Sequence, residues 1–270
     1  RGLGDVYKRQ HLTTISLLQS FKPTIEFEDL TYNFVTDFEK FLYESGYQTN
    51  TVAKHMKHLK SFVNAAINKG YIDPNNYAFR RYKIKMKEGK HVFLLPEEMK
   101  KLEEVSLTGK NSCLEHTLDA FLFCCYTGLR YSDFVNLNEK NIVKMDGKLW
   151  LIFDSVKTGT EVKLPLNLLF EGKALTLLQK YQGKWSSLFS IKNNSSVNKE
   201  LIRIGKLAKI SKHFSFHSAR HTNATLLIYK GANITTVQKL LGHKNLATTQ
   251  IYGEVMGSTI IRDLKKCQKR

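Results

Sequence analysis

Only one stretch of this chain alternates. Residues 141–165 step between Val, Ile, Leu, Phe or Trp and polar residues with a period near two, and Asp146-Gly147 and Thr158-Gly159 interrupt the pattern as turn signals. Elsewhere the apolar residues recur at three- and four-residue steps, the spacing of a helix face. The pattern predicts a mainly α fold with one small antiparallel β-sheet.

The helical segments can be placed by their caps and faces. From Phe27 onward Leu30, Phe34, Phe38, Phe41 and Leu42 share a face, and Gly46 stops the run. A second helix runs from about Thr49, a plausible N-cap residue, to Lys69. Its apolar face carries Val52, Met56, Leu59, Phe62, Val63, Ala66 and Ile67, and its polar face carries Lys54, His55, Lys57, His58 and Lys60. Asp73-Pro74 marks a turn. Pro96, followed by Glu97 and Glu98, opens another helix in good register with its dipole. A buried helix is expected over 114–126, broken at Gly128, and further helices over 167–181, 195–209, 217–230 and 234–241. No internal repeat is visible. Residues 80–90, RRYKIKMKEGK, are basic and poor in core residues, and read as a linker. The expected organisation is a disordered or non-native leader over 1–25, a helical domain over 26–87, a linker over 88–95 and a second domain over 96–270. The opening RGLGDVYKRQ reads as foreign to the rest.

Charge narrows the partner. Lys and Arg number 42 against 24 Asp and Glu, a net charge of +18 with a pI near 9.6. Such an excess suits a polyanion. No uncharged apolar run approaches the ~18 residues of a membrane span, and only 260–270 offers a basic amphipathic end segment, so nucleic acid is preferred to a membrane. The cysteines, Cys113, Cys124, Cys125 and Cys267, show no CxxC spacing, and no secretory signal is seen; a cytoplasmic setting is expected.

The chemistry is carried by side chains spread widely along the chain. TGLRYSD at 127–133 offers Arg130, with Asp133 three residues on to orient it. Arginine suits phosphate because it is always charged and bonds two oxygens at once; a plain structural ion pair with Asp133 is the alternative. FDSVKTGTEVKLPL places Lys157 at a hairpin turn, where it could equally be a surface lysine, as Lys148 and Lys163 are expected to be. HSARH puts His217 and His221 on one helical face with Arg220 between them. Paired histidines at this spacing also suit zinc. However, the position of the usual glutamate base is Ser218, and only His213 is near as a third ligand, so no metal is expected. His221 reads as a packed histidine. In LGHKNLATTQIY, His243 precedes Tyr252, which nothing in the local composition distinguishes from the other tyrosines. Walker A, GxGxxG and GxSxG motifs and a carboxylate cluster for two-metal catalysis are all absent.

These motifs, in this order and at these distances, resemble the active-site motifs of the tyrosine recombinases, the phage-integrase family. The resemblance is strong over about 93–256 and weaker over 26–87, and the wider sequence is similar to integrases of conjugative elements from Bacteroidetes-type bacteria. It implies a helical, SAM-like core-DNA-binding domain and a catalytic domain that breaks and rejoins DNA through a 3′-phosphotyrosine, with no metal, ATP or other cofactor. Tyr252 would be the nucleophile and Lys157 the general acid. Arg130, Arg220 and His243 would hold the scissile phosphate, and His217 would aid proton transfer to and from Tyr252. Asp133 and His221 would support them. Lys54, Lys57, Arg80, Arg81, Lys83 and Lys85 are the expected DNA contacts. Double-stranded DNA is the implied partner, bound by a homotetramer on paired sites, with accessory bending or directionality proteins. Integrases of this kind often carry a further N-terminal arm-binding module, so a truncated protein is expected here. The rival readings are a type IB topoisomerase and a non-catalytic DNA-binding regulator descended from an integrase.

Overall fold

A computed structural model describes residues 3–89 and 91–253, with side chains from His11 onward. The chain divides into two compact units, residues 1–90 and 91–270.

The first unit is built on three helices, α1 (Leu3–Phe21), α2 (Tyr32–Glu44) and α3 (Thr49–Asn68). Thr31 caps α2 by accepting a hydrogen bond from the Phe34 amide. Phe34, Val35, Phe38 and Leu42 of α2 meet Val52, Met56, Leu59 and Val63 of α3 in the core. The helix α1 stands where a disordered leader was expected. Its inward face is carried by His11, Thr14, Leu18 and Phe21, while Leu12 (59% exposed) and Ile15 point outward. A helix that buries a threonine and exposes a leucine has no readable apolar period.

The missed helix also displaces His55 from its expected solvated face. His55 is 4% exposed, and its Nδ1 lies 2.9 Å from Thr14 Oγ1, which is also 2.7 Å from His58 Nδ1. The basic stretch after residue 80 is likewise not free. Tyr82 and Ile84 pack on the core while Arg81, Lys83 and Lys85 alternate outward. Asn50 clamps Lys87 by accepting from its amide and donating to its carbonyl.

The second unit begins earlier than expected. The Leu94 amide donates to Thr222 Oγ1, Lys212 donates to the Phe93 carbonyl, and Leu94 is fully buried, so residues 91–95 are part of this unit and not a linker. After α4 (Pro96–Glu104) comes α5 (Glu115–Thr127), whose residues are buried almost all round, as the central helix of a layered domain must be. The short α6 (Tyr131–Phe134) leads to the sheet, β1 (Ile142–Met145), β2 (Lys148–Asp154) and β3 (Glu161–Pro165), antiparallel in that order. Leu151 and Phe153 of β2 and Val162 and Leu164 of β3 point into the core, with Phe153 opposite Val162.

The helix expected from 167 starts only at α7 (Lys173–Lys180). Phe170, Glu171 and Gly172 take left-handed backbone just before it and break the run. Then follow α8 (Trp185–Phe189), α9 (Asn194–Leu207), α10 (Phe216–Tyr229), α11 (Ile234–Leu241) and α12 (Ala247–Gln250). No helix among the described residues is long and apolar enough to cross a membrane.

Candidate active site

Close approach of side chains to two helix-ending turns shapes the site, and two glycines permit it. Gly128 ends α5 with φ 74°, and a Cβ there would stand 2.6 Å from Leu241 Cδ2 and 2.8 Å from Asn223 Oδ1. Gly242 ends α11 with φ 62°, and a Cβ there would lie 2.7 Å from Val162 Cγ2 on β3. Only glycine takes both the left-handed backbone and the contact. These turns bring the ends of α5, α10 and α11 and the β2–β3 loop together.

Arg220 lies between them at 3% exposure. Its Nη1 donates to the Gly128 carbonyl (2.8 Å) and its Nη2 to the Leu241 carbonyl (2.6 Å). Burial and then the charge of Arg130 push its pKa down to about 9, so it remains a cation at neutral pH. Five N–H groups on a guanidinium exceed two carbonyl partners, which leaves donors for an anion. Arg130 precedes α6 and donates from Nη1 to Ser155 Oγ (3.0 Å) and, more loosely, to Asp133 Oδ2 (3.4 Å). Asp133 is buried; it accepts from the Val156 amide (2.9 Å) and from the Ser155 hydroxyl. The expected Arg130–Asp133 pair is therefore part of a larger connection that ties both residues to the hairpin loop through Ser155, which sequence reasoning did not single out.

That loop holds Lys157. The Ser155 carbonyl accepts from the Thr158 and Gly159 amides, the Ser155 amide donates to Thr160, and Thr158 reaches the Gly242 carbonyl. Lys157 is exposed at the loop tip and makes no hydrogen bond or ion pair among the described residues. Lys163, by contrast, is paired with Glu161 on the strand surface.

His243 follows the Gly242 turn. Its amide is held by the Gln238 carbonyl, and its Nδ1 lies 2.9 Å from Thr249 Oγ1. Burial, then the charges of Arg220 and Arg130, push its pKa down to about 3. His217 is exposed at the start of α10, and desolvation followed by Arg220, Arg130 and Lys157 lowers its pKa.

Tyr252 is 5% exposed and packs on Ala224, Ile228, Val237 and Leu241. Its hydroxyl lies 2.9 Å from His221 Nδ1, not beside His217, whose ring instead meets the His221 ring edge-on at 4.6 Å. Burial raises the phenol pKa, and Arg220 and Arg130 pull the other way. His91 completes the group, its ring 4.8 Å from that of His221. Nothing local in the sequence could have found His91, which sits in the expected linker. Thr249 could have been suspected from its place between His243 and Tyr252.

Arg130, Arg220, His217, His243 and Tyr252 are thus gathered with the Lys157 loop around one cationic centre that holds neutral imidazoles and a buried phenol. Lys54, Lys57, Arg80, Arg81, Lys83 and Lys85 lie in the other unit, exposed on its surface; Lys57 touches Met86 Sδ and Arg80 the Pro74 carbonyl. Among the described residues no group of three or more His, Cys, Asp and Glu side chains is placed to hold a metal ion.

Comparison with known proteins shows the family and the fold. The phage integrase family profile matches residues 92–257, and the phage integrase SAM-like domain matches residues 4–85. The tyrosine recombinase XerC of Oceanobacillus iheyensis is 28% identical over 238 residues, covering 84% of this chain and 77% of its own. A lambda integrase dimer bound to a COC′ core site has the same fold, with a TM-score of 0.78 at 19% identity over 95% of this chain and 91% of its own. A lambda integrase tetramer bound to a Holliday junction superposes with a TM-score of 0.76 at 20% identity, over 93% and 72%. With most of its length matched by the two profiles, the chain belongs to the phage integrase family.

Proposed function

We propose that the chain is a tyrosine-type site-specific recombinase that cuts and rejoins DNA through Tyr252. The observation that carries this reading is the placing of one buried phenol within the field of two guanidinium groups, in a member of a family whose relatives are tyrosine recombinases. Attack by the phenol oxygen on phosphorus forms a 3′-phosphotyrosine and releases a 5′ hydroxyl. The ester conserves the free energy of the broken phosphodiester, so rejoining needs no other energy source.

Arg130 and Arg220 would hold the non-bridging oxygens and stabilise the charge that grows on them, with His243 as a third donor. Phosphoryl transfer depends mainly on such positioning and charge stabilisation. Lys157, with no hydrogen-bond or ion-pair partner among the described residues, would reach the leaving 5′ oxygen and protonate it. His217 would move protons at the same centre, one ring away from Tyr252 through His221. Asp133 would fix Arg130 and the lysine loop together. The exposed cations of the first unit would follow the DNA backbone, and a tetramer on paired sites would exchange strands, as the junction-bound lambda integrase tetramer suggests.

The test is a covalent adduct on a nicked suicide duplex, resistant to boiling in detergent. Tyr252→Phe is expected to abolish the adduct while DNA binding stays within a few-fold. Adduct at wild-type yield in that variant would mean another residue attacks. Relaxation of supercoils without Holliday junctions on paired sites would favour a topoisomerase instead.

A further inference from the structure

The last turn of α5 is held from outside by α10. The Gly128 turn leaves the Cys125 carbonyl without a backbone amide, and Asn223 Nδ2 donates to it at 3.0 Å. Asn223 is 1% exposed, and its Oδ1 lies so close to the turn that a Cβ on Gly128 would meet it at 2.8 Å. That Oδ1 accepts no hydrogen bond from the described residues. Three residues earlier on the same helix, Arg220 donates to the Gly128 carbonyl. Positions at this spacing share a helix face. The helix α10 thus grips the end of α5 at two carbonyls, one with a guanidinium and one with an amide.

We propose that Asn223 is a positioning residue for DNA cleavage, fixing the end of α5 so that Arg130 and Arg220 meet one phosphate together. The proposal rests on the recombinase reading and adds to it a residue too deeply buried to touch DNA.

The lever is short. Arg130 follows Gly128 by two residues, and Arg220 makes one of its two carbonyl bonds to Gly128. A shift of that turn therefore moves one guanidinium through the chain and the other through its hydrogen bond. Such a shift is easiest at a helix end, where the last carbonyls have no amides of their own. Asn223 uses its donor there and leaves its acceptor unmet, a cost that an apolar side chain of similar size avoids. Leucine at this position would give up one unmet acceptor, Oδ1, and create another, the Cys125 carbonyl. Fold stability would change little while the grip on α5 is lost. Stability and alignment come apart at residue 223.

The experiment measures single-turnover adduct formation by wild type, Asn223→Leu, Asn223→Ala and Lys157→Ala on two nicked suicide duplexes. One carries the ordinary scissile phosphodiester and the other a methylphosphonate in its place. The methyl group replaces a charged non-bridging oxygen, so the placing of guanidinium groups matters less there. DNA binding and thermal melting are followed in parallel. Asn223→Leu is expected to slow cleavage of the phosphodiester by up to about 10²-fold, the scale of a misplaced reacting group, with binding and melting close to wild type. On the methylphosphonate, relative to wild type on the same duplex, most of that deficit should vanish, whereas the Lys157→Ala deficit should persist. Wild-type cleavage of the phosphodiester by Asn223→Leu overturns the proposal. So does an equal deficit on both duplexes, which would make Asn223 a packing residue. Equal relief of Lys157→Ala on the methylphosphonate also overturns it, since the relief would then not report on the arginines. Should the leucine variant not fold, Asn223→Ala is judged by the same ratio. Unfolding of both variants counts against the proposal, because the amide would then serve the fold and not the alignment. Absence of adduct from the wild-type chain on the phosphodiester would defeat the recombinase reading itself, a distinct result.

Discussion

Ser155 shows how little of a site's wiring is written in its motifs. TGLR, HSARH and LGH name their functional residues because arginine and histidine are chemically conspicuous, but a serine two positions before Lys157 is not. Yet the Ser155 hydroxyl bridges Arg130 and Asp133, and its carbonyl closes the loop that presents the lysine. Two substitutions should therefore behave differently. Lys157→Ala should lose cleavage of ordinary DNA yet recover when sulfur replaces the leaving 5′ oxygen, because a thiolate departs without an acid. Ser155→Ala should slow cleavage of both substrates, since it loosens Arg130 and leaves buried Asp133 short of a donor, at a cost of about 1–3 kcal/mol. Equal recovery of the two variants on the sulfur substrate would mean that Ser155 acts through the lysine alone.

The histidines carry a pH consequence as well. His221 and His243 stay neutral in the fold, with pKa values near 4 and 3, while the unfolded chain takes up their protons near pH 6.5. The folded pKa is the lower one, so stability is full above about 6.5 and falls as the pH drops from there toward 4. Each proton is worth about 1.4 kcal/mol per pH unit. His55 and His58, lowered mainly by burial, act in the same direction. Melting temperature should decline from pH 7 to pH 5; a flat profile would show these rings to be solvated.

At the scale of elements, legibility followed side-chain alternation and punctuation. The second and third helices, the central buried helix and the hairpins were readable because apolar faces and glycine stops coincide there. The first helix was not, because its inward face carries Thr14 and His11, and its polar-looking contact partner His55 was assigned to solvent for the same reason. The start of α7 was misplaced because Phe170 and Glu171 take left-handed backbone, the first buried in the core and the second paired with Lys230, which no local propensity announces. The glycine ends, by contrast, were visible as stops but not as contacts. Gly128→Ala must strain a left-handed residue and displace Leu241 and Asn223, costing about 1–3 kcal/mol. Because α11 leads directly to His243, adduct formation should fall along with melting temperature. An alanine variant with wild-type melting would show that α5 and α11 do not need to approach so closely.

Over the whole molecule the charge excess was the clearest signal and the least specific. It pointed to a polyanion without saying which unit touches it. The first unit now shows a directional arrangement: Tyr82 and Ile84 anchor an extended segment whose cations Arg81, Lys83 and Lys85 face outward together. A protein neutralising ~6–10 phosphates loses on the order of 10³–10⁵ in affinity between 50 and 200 mM salt. Replacing Arg80, Arg81, Lys83, Lys85 and Lys87 with Gln should flatten that dependence on every duplex alike, measured by fluorescence titration across salt. An unchanged slope would return the segment to a purely structural role in packing the first unit.

Arg220 bears on how such a protein can decline. Its guanidinium joins the carbonyl of the Gly128 turn to the last carbonyl of α11, so one side chain is both reagent and rivet. A lineage drifting toward a passive DNA-binding protein could exchange Tyr252 for phenylalanine, or discard exposed Lys157, at small structural cost. It could not discard Arg220 without also stranding two buried carbonyls. Relics of this ancestry should therefore keep their arginine long after they have lost their tyrosine.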